Sequence, residues 1–363
     1  YQPQFVDIAL TQAQLMSDLR YQILEIVNRT LVLELNVARL RKQLNGETAQ
    51  DRFQSFVQLL TKPEFSLPIL QEYSVMARQV VIRIKQWLNF HTEWLTQLCQ
   101  DLPVILENFA ITQAPGTLVE ASRAGDKHCD ARAVLILKFE SGLKLVYKPH
   151  SLAVDTAFQA LLTWINSKGQ SPALKPIQVL DRGSYGWVEF VEGSECSSTD
   201  EVARFYQRQG SYLALLYALD ATDFHFENLI AAGEHPILID LESLFQARPP
   251  ARLDLPNASA GLSLNGSVLR IGLLPQRYFM GGDSEGVDMS GLGAQADMLT
   301  PMPVPTWDNP GTDVMRLKKM RLPMGNGQNR PKVNGTFINV EAYATDIQQG
   351  FTHTYALLMR HKE

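Results

Sequence analysis

In ALDATDFHFENLIAAGEHPILIDLESLF, residues 218–245, Asp223 and Asn228 stand five positions apart and Asp240 closes the apolar run PILI. Phosphoryl transfer from ATP uses groups of these kinds. A carboxylate orients or deprotonates the acceptor hydroxyl, oxygen ligands hold Mg²⁺ against the phosphates, and a lysine neutralises them. Asp223 suits the first role. Asn228 and Asp240 offer the hard oxygens that Mg²⁺ prefers.

The Asp-x-x-x-x-Asn spacing with a later metal-binding Asp is the pattern of a kinase catalytic loop. Glu242, two residues past Asp240, shares its face if the strand continues; it reads either as a further metal or network carboxylate or as a surface residue. His225 reads as an orienting group for Asp223 or the phosphates, or as a hydrogen-bonded structural histidine. Glu227 reads as solvent-facing. Lys148 is the matching cation. In LKLVYKP, alternation puts Leu143, Leu145 and Tyr147 on one face and Lys144, Val146 and Lys148 on the other. No G-x-G-x-x-G loop is present.

A second constellation, AGDKHCDARAV, sets Asp126 and His128 two apart before a strand pattern that leads to Lys148. A histidine beside a carboxylate can move protons near neutral pH. The same spacing also suits a plain turn.

These residues need elements to hold them. Residues 1–112 read as a helical region, from the three- and four-residue apolar spacing of QLMSDLRYQILEIVNRTLVLEL and of YSVMARQVVIRIKQWLNF, with Pro63 and Pro68 between helices. Residues 113–198 read as strand-rich: GTLVEASRA, RAVLILKFE and LKLVYKP, with ESG as a hairpin turn, then the helix DTAFQALLTWINS and the strand YGWVEFVE. Residues 199–363 open on the helix DEVARFYQRQGSYLALLYALD, capped by Thr199 or Asp200. The hairpin NLIAA/PILIDL follows, then long Gly- and Pro-rich loops around a strand-like SVLRIGLLP, and a last helix after NVEAY. The expected class is α+β: a two-lobed kinase-like order behind an added N-terminal helical region.

The 363 residues are 45% hydrophobic and carry a net charge of −5, which speaks against a general nucleic-acid binder. No apolar run reaches membrane-spanning length and no signal peptide is visible, so the expected setting is cytoplasmic. Cys99, Cys129 and Cys196 form no CxxC pair and suggest reduced thiols. The chain begins at Tyr1 and ends at MRHKE, and is expected to be a piece of a longer protein.

Several motifs then occur in order: GDKHCDARAV, LVYKPHSLAVDTAFQALLTWIN, DATDFHFENLIAAGEHPILIDLESLF, SVLRIGLLP, MSGLG and GTDVMRL. Through them the chain resembles the dehydratase region of class II lanthipeptide synthetases, the LanM family, over about residues 115–355. The resemblance implies a lipid-kinase-like fold. It also implies an enzyme that phosphorylates Ser or Thr of a ribosomal precursor peptide with ATP and Mg²⁺ and then eliminates phosphate to leave dehydroalanine or dehydrobutyrine. The family's kinase residues fall on Lys148, Asp223, His225, Asn228, Asp240 and Glu242. Its Asp-x-His motif, tied to elimination, falls on Asp126 and His128. A LanC-like cyclase, with its zinc site, is expected in the full-length protein and is outside this sequence.

The sequence departs from the pattern at three places. His150 stands where the family usually has Arg after Tyr-Lys-Pro, Ala131-Arg132 where it has Gly-Arg, and the Arg-Pro-Thr-like elimination motif is not in these residues. Three rival readings remain at this stage. They are a small-molecule kinase of the aminoglycoside type, an inactive kinase-like scaffold that binds peptide, and a metal-dependent hydrolase using Asp126, His128, Asp223 and His225.

Overall fold

The computed structural model describes residues 8–124, 132–246, 266–279, 286–294, 298–325 and 327–362. Asp126 and His128 lie outside the described residues. The chain mixes helix and sheet, in two compact units. One comprises residues 1–150, 184–188 and 304–320, the other 151–183, 189–303 and 321–363.

The first unit opens with four helices, α1 (Ile8–Leu40), α2 (Ala49–Leu60), α3 (Pro63–Glu72) and α4 (Ser74–Asn108). A capping box starts α2: the Thr48 side chain accepts from the Asp51 N–H while the Asp51 carboxylate accepts from the Thr48 N–H. The prolines expected to separate helices lie within α3 instead. Pro63 occupies its first turn, where a missing N–H costs nothing, and Pro68 sits inside it.

Three antiparallel strands follow, β1 (Leu118–Ala124), β2 (Val134–Phe139) and β3 (Lys144–Lys148). Leu135 pairs with Tyr147 and Lys138 with Lys144, so the β2–β3 turn falls on Glu140-Ser141-Gly142, with Gly142 at φ +88°. The strand Gly186–Glu189 lies beside β3. Helix α4 is tied to this sheet by polar contacts. The Tyr147 hydroxyl donates to Gln97 Oε1 at 2.8 Å, and Trp187 Nε1 and the Tyr185 hydroxyl donate to Asp101 Oδ2 at 2.9 and 2.8 Å. Trp94, Leu98, Leu137, Tyr147 and Trp187 are almost fully buried here.

This unit also contains a hairpin where the sequence suggested only loop: Val304–Asp308 pairs with Arg316–Met320 in an antiparallel register from Val304↔Met320 to Asp308↔Arg316. Its connecting loop is fixed to α1 and α2. The Arg52 guanidinium meets the fully buried Asp313 carboxylate at 2.6 Å, Asn36 donates to the Met315 carbonyl, and Met315 packs against Leu35, Ala38 and Phe56.

The second unit is built around α6 (Thr199–Ala218), which packs with α5 (Ala153–Ser167) and α7 (Ala344–Arg360). The cap of α6 is Ser198, one residue earlier than the sequence suggested, with its hydroxyl accepting from the Glu201 N–H. Phe158, Phe205, Tyr212, Leu216, Leu229, Leu238, Ile271 and Leu292 share one buried cluster. α6 and α7 meet at glycines: a methyl on Gly210 would strike the Ile347 carbonyl, and one on Gly350 the Gln207 carbonyl.

SVLRIGLLP is not a strand. Val268–Ile271 forms a single 3₁₀ turn, started by Ser267, whose hydroxyl accepts from the Leu269 N–H, and stopped by left-handed Gly272. A short apolar run of this kind does not reveal its period.

Candidate functional site

Asp223, His225, Asn228, Asp240 and Glu242 all belong to the second unit, on the segment that follows α6. Beyond the helix, Asp220 takes a left-handed conformation and its carboxylate meets Arg270 at 2.6 Å. The Arg270 guanidinium also lies 5.0 Å from the centre of the Tyr217 ring. These contacts turn the chain away from the helix axis.

The next residues alternate. Ala221, Phe224 and Phe226 are buried, while the Asp223 side chain is 71% exposed and that of Glu227 67%. Three neighbouring segments hold the backbone in place. The Thr222 N–H donates to the Ser243 carbonyl, Phe224 to Ile271 and Phe226 to Met289. Asp223 sits at φ +63°, a conformation uncommon for residues other than glycine, to which Asn and Asp are best suited. Uncommon backbone geometry of this kind clusters at working sites.

Within this loop Asn228 Nδ2 donates to the Asp223 carbonyl at 2.9 Å, closing the five-residue span. That bond fixes the amide's orientation and leaves Oδ1 as its ligand end. His225 Nδ1 accepts from the Glu227 N–H at 3.3 Å, so the neutral ring carries its proton on Nε2, which lies 3.9 Å from Asp223 Oδ1. His225 Nε2 thus lies on the Asp223 side of the ring, beyond direct hydrogen-bond distance, Nδ1 lies 3.8 Å from Glu227 Oε2, and Glu227 is exposed, as expected.

The hairpin brings the second half of the motif back. Leu229–Ala232 pairs with His235–Leu238 in the register Leu229↔Leu238 to Ala232↔His235. One step further, the Ile239 N–H donates to the Asn228 carbonyl at 3.1 Å, leaving Asp240 at the same open end. Asp240 Oδ1 accepts from the Glu242 N–H at 3.2 Å. The strand stops at Leu238, so Glu242 reaches this end through a turn and not along a continuing strand face. At the far end, burial alone would raise the Glu234 carboxyl, but hydrogen bonds from Arg204 and Arg208 pull it down to about 2.

Asn228 Oδ1, Asp240 Oδ2 and the Glu242 carboxylate are hard oxygen donors of the kind a small divalent cation takes. Among the described residues no cluster of three His, Cys, Asp or Glu groups is poised to hold a metal. A site using Asn228 would therefore be completed by solvent and substrate oxygens, which is how Mg²⁺ usually binds.

The sequence reading missed Asp288 and Ser290. Ser290 bridges His225 in an antiparallel pair, and its N–H donates to Asp288 Oδ1 at 2.9 Å. Gly293 lies so close to the Asp288 carboxylate that a side chain there would have to displace it. Ser290 lies in the MSGLG motif, which entered the family resemblance without any residue of it being assigned to the site.

Lys148 ends β3 in the first unit and is 7% exposed. The buried neighbours Leu145 and Tyr147 share the face that alternation assigned to them.

Residues 73–363 match the model of a family described as "Domain of unknown function (DUF4135)". The chain belongs to that family. It is also 28% identical over 374 residues to the lacticin 481/lactococcin biosynthesis protein LcnDR2 of Lactococcus lactis subsp. lactis. The match takes in 95% of this chain and 38% of the relative, so the chain spans well under half of that protein's length. The resemblance to class II lanthipeptide synthetases, read from separate motifs, is borne out by both matches. Among the described residues no helix is long and apolar enough to cross a membrane.

Proposed function

We propose that this chain is the dehydrating part of a lanthipeptide synthetase, with a kinase-like architecture. It transfers the γ-phosphoryl group of ATP to Ser or Thr hydroxyls of a ribosomal precursor peptide, then eliminates phosphate. The observation that carries the reading is the joint between the two halves of the motif. Asn228 is bonded through its side chain to Asp223 and through its carbonyl to Ile239, so acceptor-side carboxylate and oxygen donors share one end of a hairpin. The relative's printed role in lacticin 481 and lactococcin biosynthesis supports a peptide substrate.

In this reading Asp223 accepts the hydroxyl proton as the hydroxyl oxygen bonds to phosphorus and the bond to the leaving ADP breaks. His225, whose Nε2 lies 3.9 Å from Asp223 Oδ1, is assigned to orienting that carboxylate by the family resemblance. Asn228, Asp240 and Glu242 would hold Mg²⁺, which supplies charge neutralisation on the phosphates. Lys148 is assigned to the phosphates by the family resemblance. The second step removes the α-proton of the phosphorylated residue while the Cβ–O bond breaks and phosphate departs. Asp126 and His128 are assigned to it as the proton-handling pair.

Mass spectrometry of a Ser/Thr-rich precursor peptide incubated with Mg·ATP tests the proposal. A gain of phosphate, or loss of water from the peptide, is the expected result. Absence of Mg·ATP binding by calorimetry would overturn it in favour of a peptide-binding scaffold.

A further inference from the structure

The hairpin Val304–Asp308/Arg316–Met320 has no part in the chemistry above, and its charge is unusual for this chain. The strand Arg316–Met320 carries three cations in five residues and no acid; Arg316 is paired with Asp308 of the neighbouring strand at 3.0 Å, and Lys318 and Lys319 stand beside it, in a sequence whose net charge is −5. Every residue of the Arg316–Met320 strand is exposed, including Leu317 at 43% and Met320 at 42%. Among the described residues the sheet has only two strands, so this strand's outer edge carries no ladder.

An exposed edge strand is a template for another extended chain, and proteins usually shorten, cover, bend or charge such edges, lysine above all. This one carries two lysines and is also braced. Its loop is held to α1 and α2 by the buried Asp313–Arg52 pair, the Asn36 bond and the packed Met315. The strand is thus presented in a fixed conformation, which lowers the ordering cost of pairing with a partner. Alternation puts Arg316, Lys318 and Met320 on one face and Leu317 and Lys319 on the other, so both faces offer a cation beside an apolar side chain.

We propose that the outer edge of Arg316–Met320 docks an extended acidic peptide segment by strand addition. Main-chain hydrogen bonds supply the pairing and the lysines select for glutamate or aspartate. The inference rests on the peptide-substrate reading above and deepens it by naming where and how a segment distant from the reacting hydroxyl is held.

The probe is a labelled peptide alternating Glu and Val, titrated by fluorescence anisotropy against the full chain and its Lys318→Glu/Lys319→Glu variant. Wild type should bind in a salt-sensitive manner, and the double reversal should weaken binding by about ten-fold or more. N-methylation of alternate peptide nitrogens should abolish binding in one phase of the alternation and spare it in the other. Equal affinity for both proteins, or the same loss in both methylation phases, would overturn the proposal. So would tighter binding of oligo-dT than of the peptide. Self-association of Lys318→Ser/Lys319→Ser with peptide affinity unchanged would overturn it too, leaving the lysines as guards of the edge. Turnover is measured separately, on wild type with a serine appended to the probe. Edge-dependent binding without phosphorylation keeps this surface and removes the kinase reading; phosphorylation without edge-dependent binding does the reverse.

Discussion

Asn228 donates its side-chain amide to the main-chain carbonyl of Asp223 at 2.9 Å, while its own carbonyl accepts from Ile239. One residue therefore sets the conformation of the left-handed Asp223 and the approach of Asp240. Replacing Asn228 by Asp keeps an oxygen ligand and removes the donor; replacing it by Ala removes both. We expect Asn228→Ala to cut phosphorylation by at least about a hundred-fold, and Asn228→Asp to lose activity together with about 1 kcal/mol of stability from the missing bond. Chemical denaturation alongside peptide phosphorylation checks both.

Asp240→Asn separates structure from chemistry. The amide oxygen can still accept from the Glu242 N–H, so the turn should survive, but the negative charge at the donor end is gone. Melting temperature should stay within a degree or two, and transfer to the peptide should become undetectable. Normal dehydration by this variant would sink the assignment. His128→Ala, tested in the full-length enzyme, should instead accumulate phosphopeptide.

Glu234 and His91 are among the groups that make stability depend on pH. Glu234, held at about 2 by Arg204 and Arg208 against an ordinary value of 4.5, contributes fully above pH 4.5. Its contribution drains as the pH falls toward 2, because the unfolded chain takes up the proton first. His91 is lowered by burial, a trend that Asp18 opposes and Arg123 reinforces, and its Nδ1 accepts from Trp94 Nε1. Its folded value lies below 6.5, so stabilisation is complete above 6.5 and is lost as the pH falls beneath it. Thermal melts from pH 7.5 to 4 should show a first decline below 6.5 that His91→Gln reduces, with His235, also lowered by burial, supplying the remainder. A second decline below 4.5 should be flattened by Glu234→Gln.

Gly350→Ala tests the tight contact of α6 and α7. Helix propensity alone favours alanine by about 1 kcal/mol. The added methyl would meet the Gln207 carbonyl, which is backbone and cannot rotate away. The net effect should be a loss of about 3 kcal/mol or more, read as a lowered denaturation midpoint. A neutral result would show that the helices can slide apart at no cost.

Much of this was legible in the sequence where period and turn chemistry agreed. Lys148 ends a strand whose alternation was visible, ESG made the expected turn at Gly142, and the hairpin that returns Asp240 to Asn228 could be read from two short apolar runs around Gly233. Other features carried no such signal. Pro63 is a helix starter as readily as a breaker, so α3 was hidden. The Val304–Asp308/Arg316–Met320 hairpin is mostly solvent-facing and contains Pro305, so it lacks the apolar alternation that marks a strand. Asp288 and Ser290 gained their meaning only when the backbone paired Ser290 with His225.

The glycine contact between α6 and α7 also bears on when the protein can fold. Gly210 and Gly350 are 140 positions apart, and the candidate loop and its hairpin lie between them in the chain. During synthesis at roughly 5–20 residues per second, α6 waits for several seconds or more before its partner helix exists. Through that interval the face of α6 around Gln207, Gly210 and Ser211 lacks the covering that α7 gives it. The second unit should therefore mature late on the ribosome and lean on chaperones, with the loop that carries Asp223 and Asn228 among the last parts to acquire its final shape.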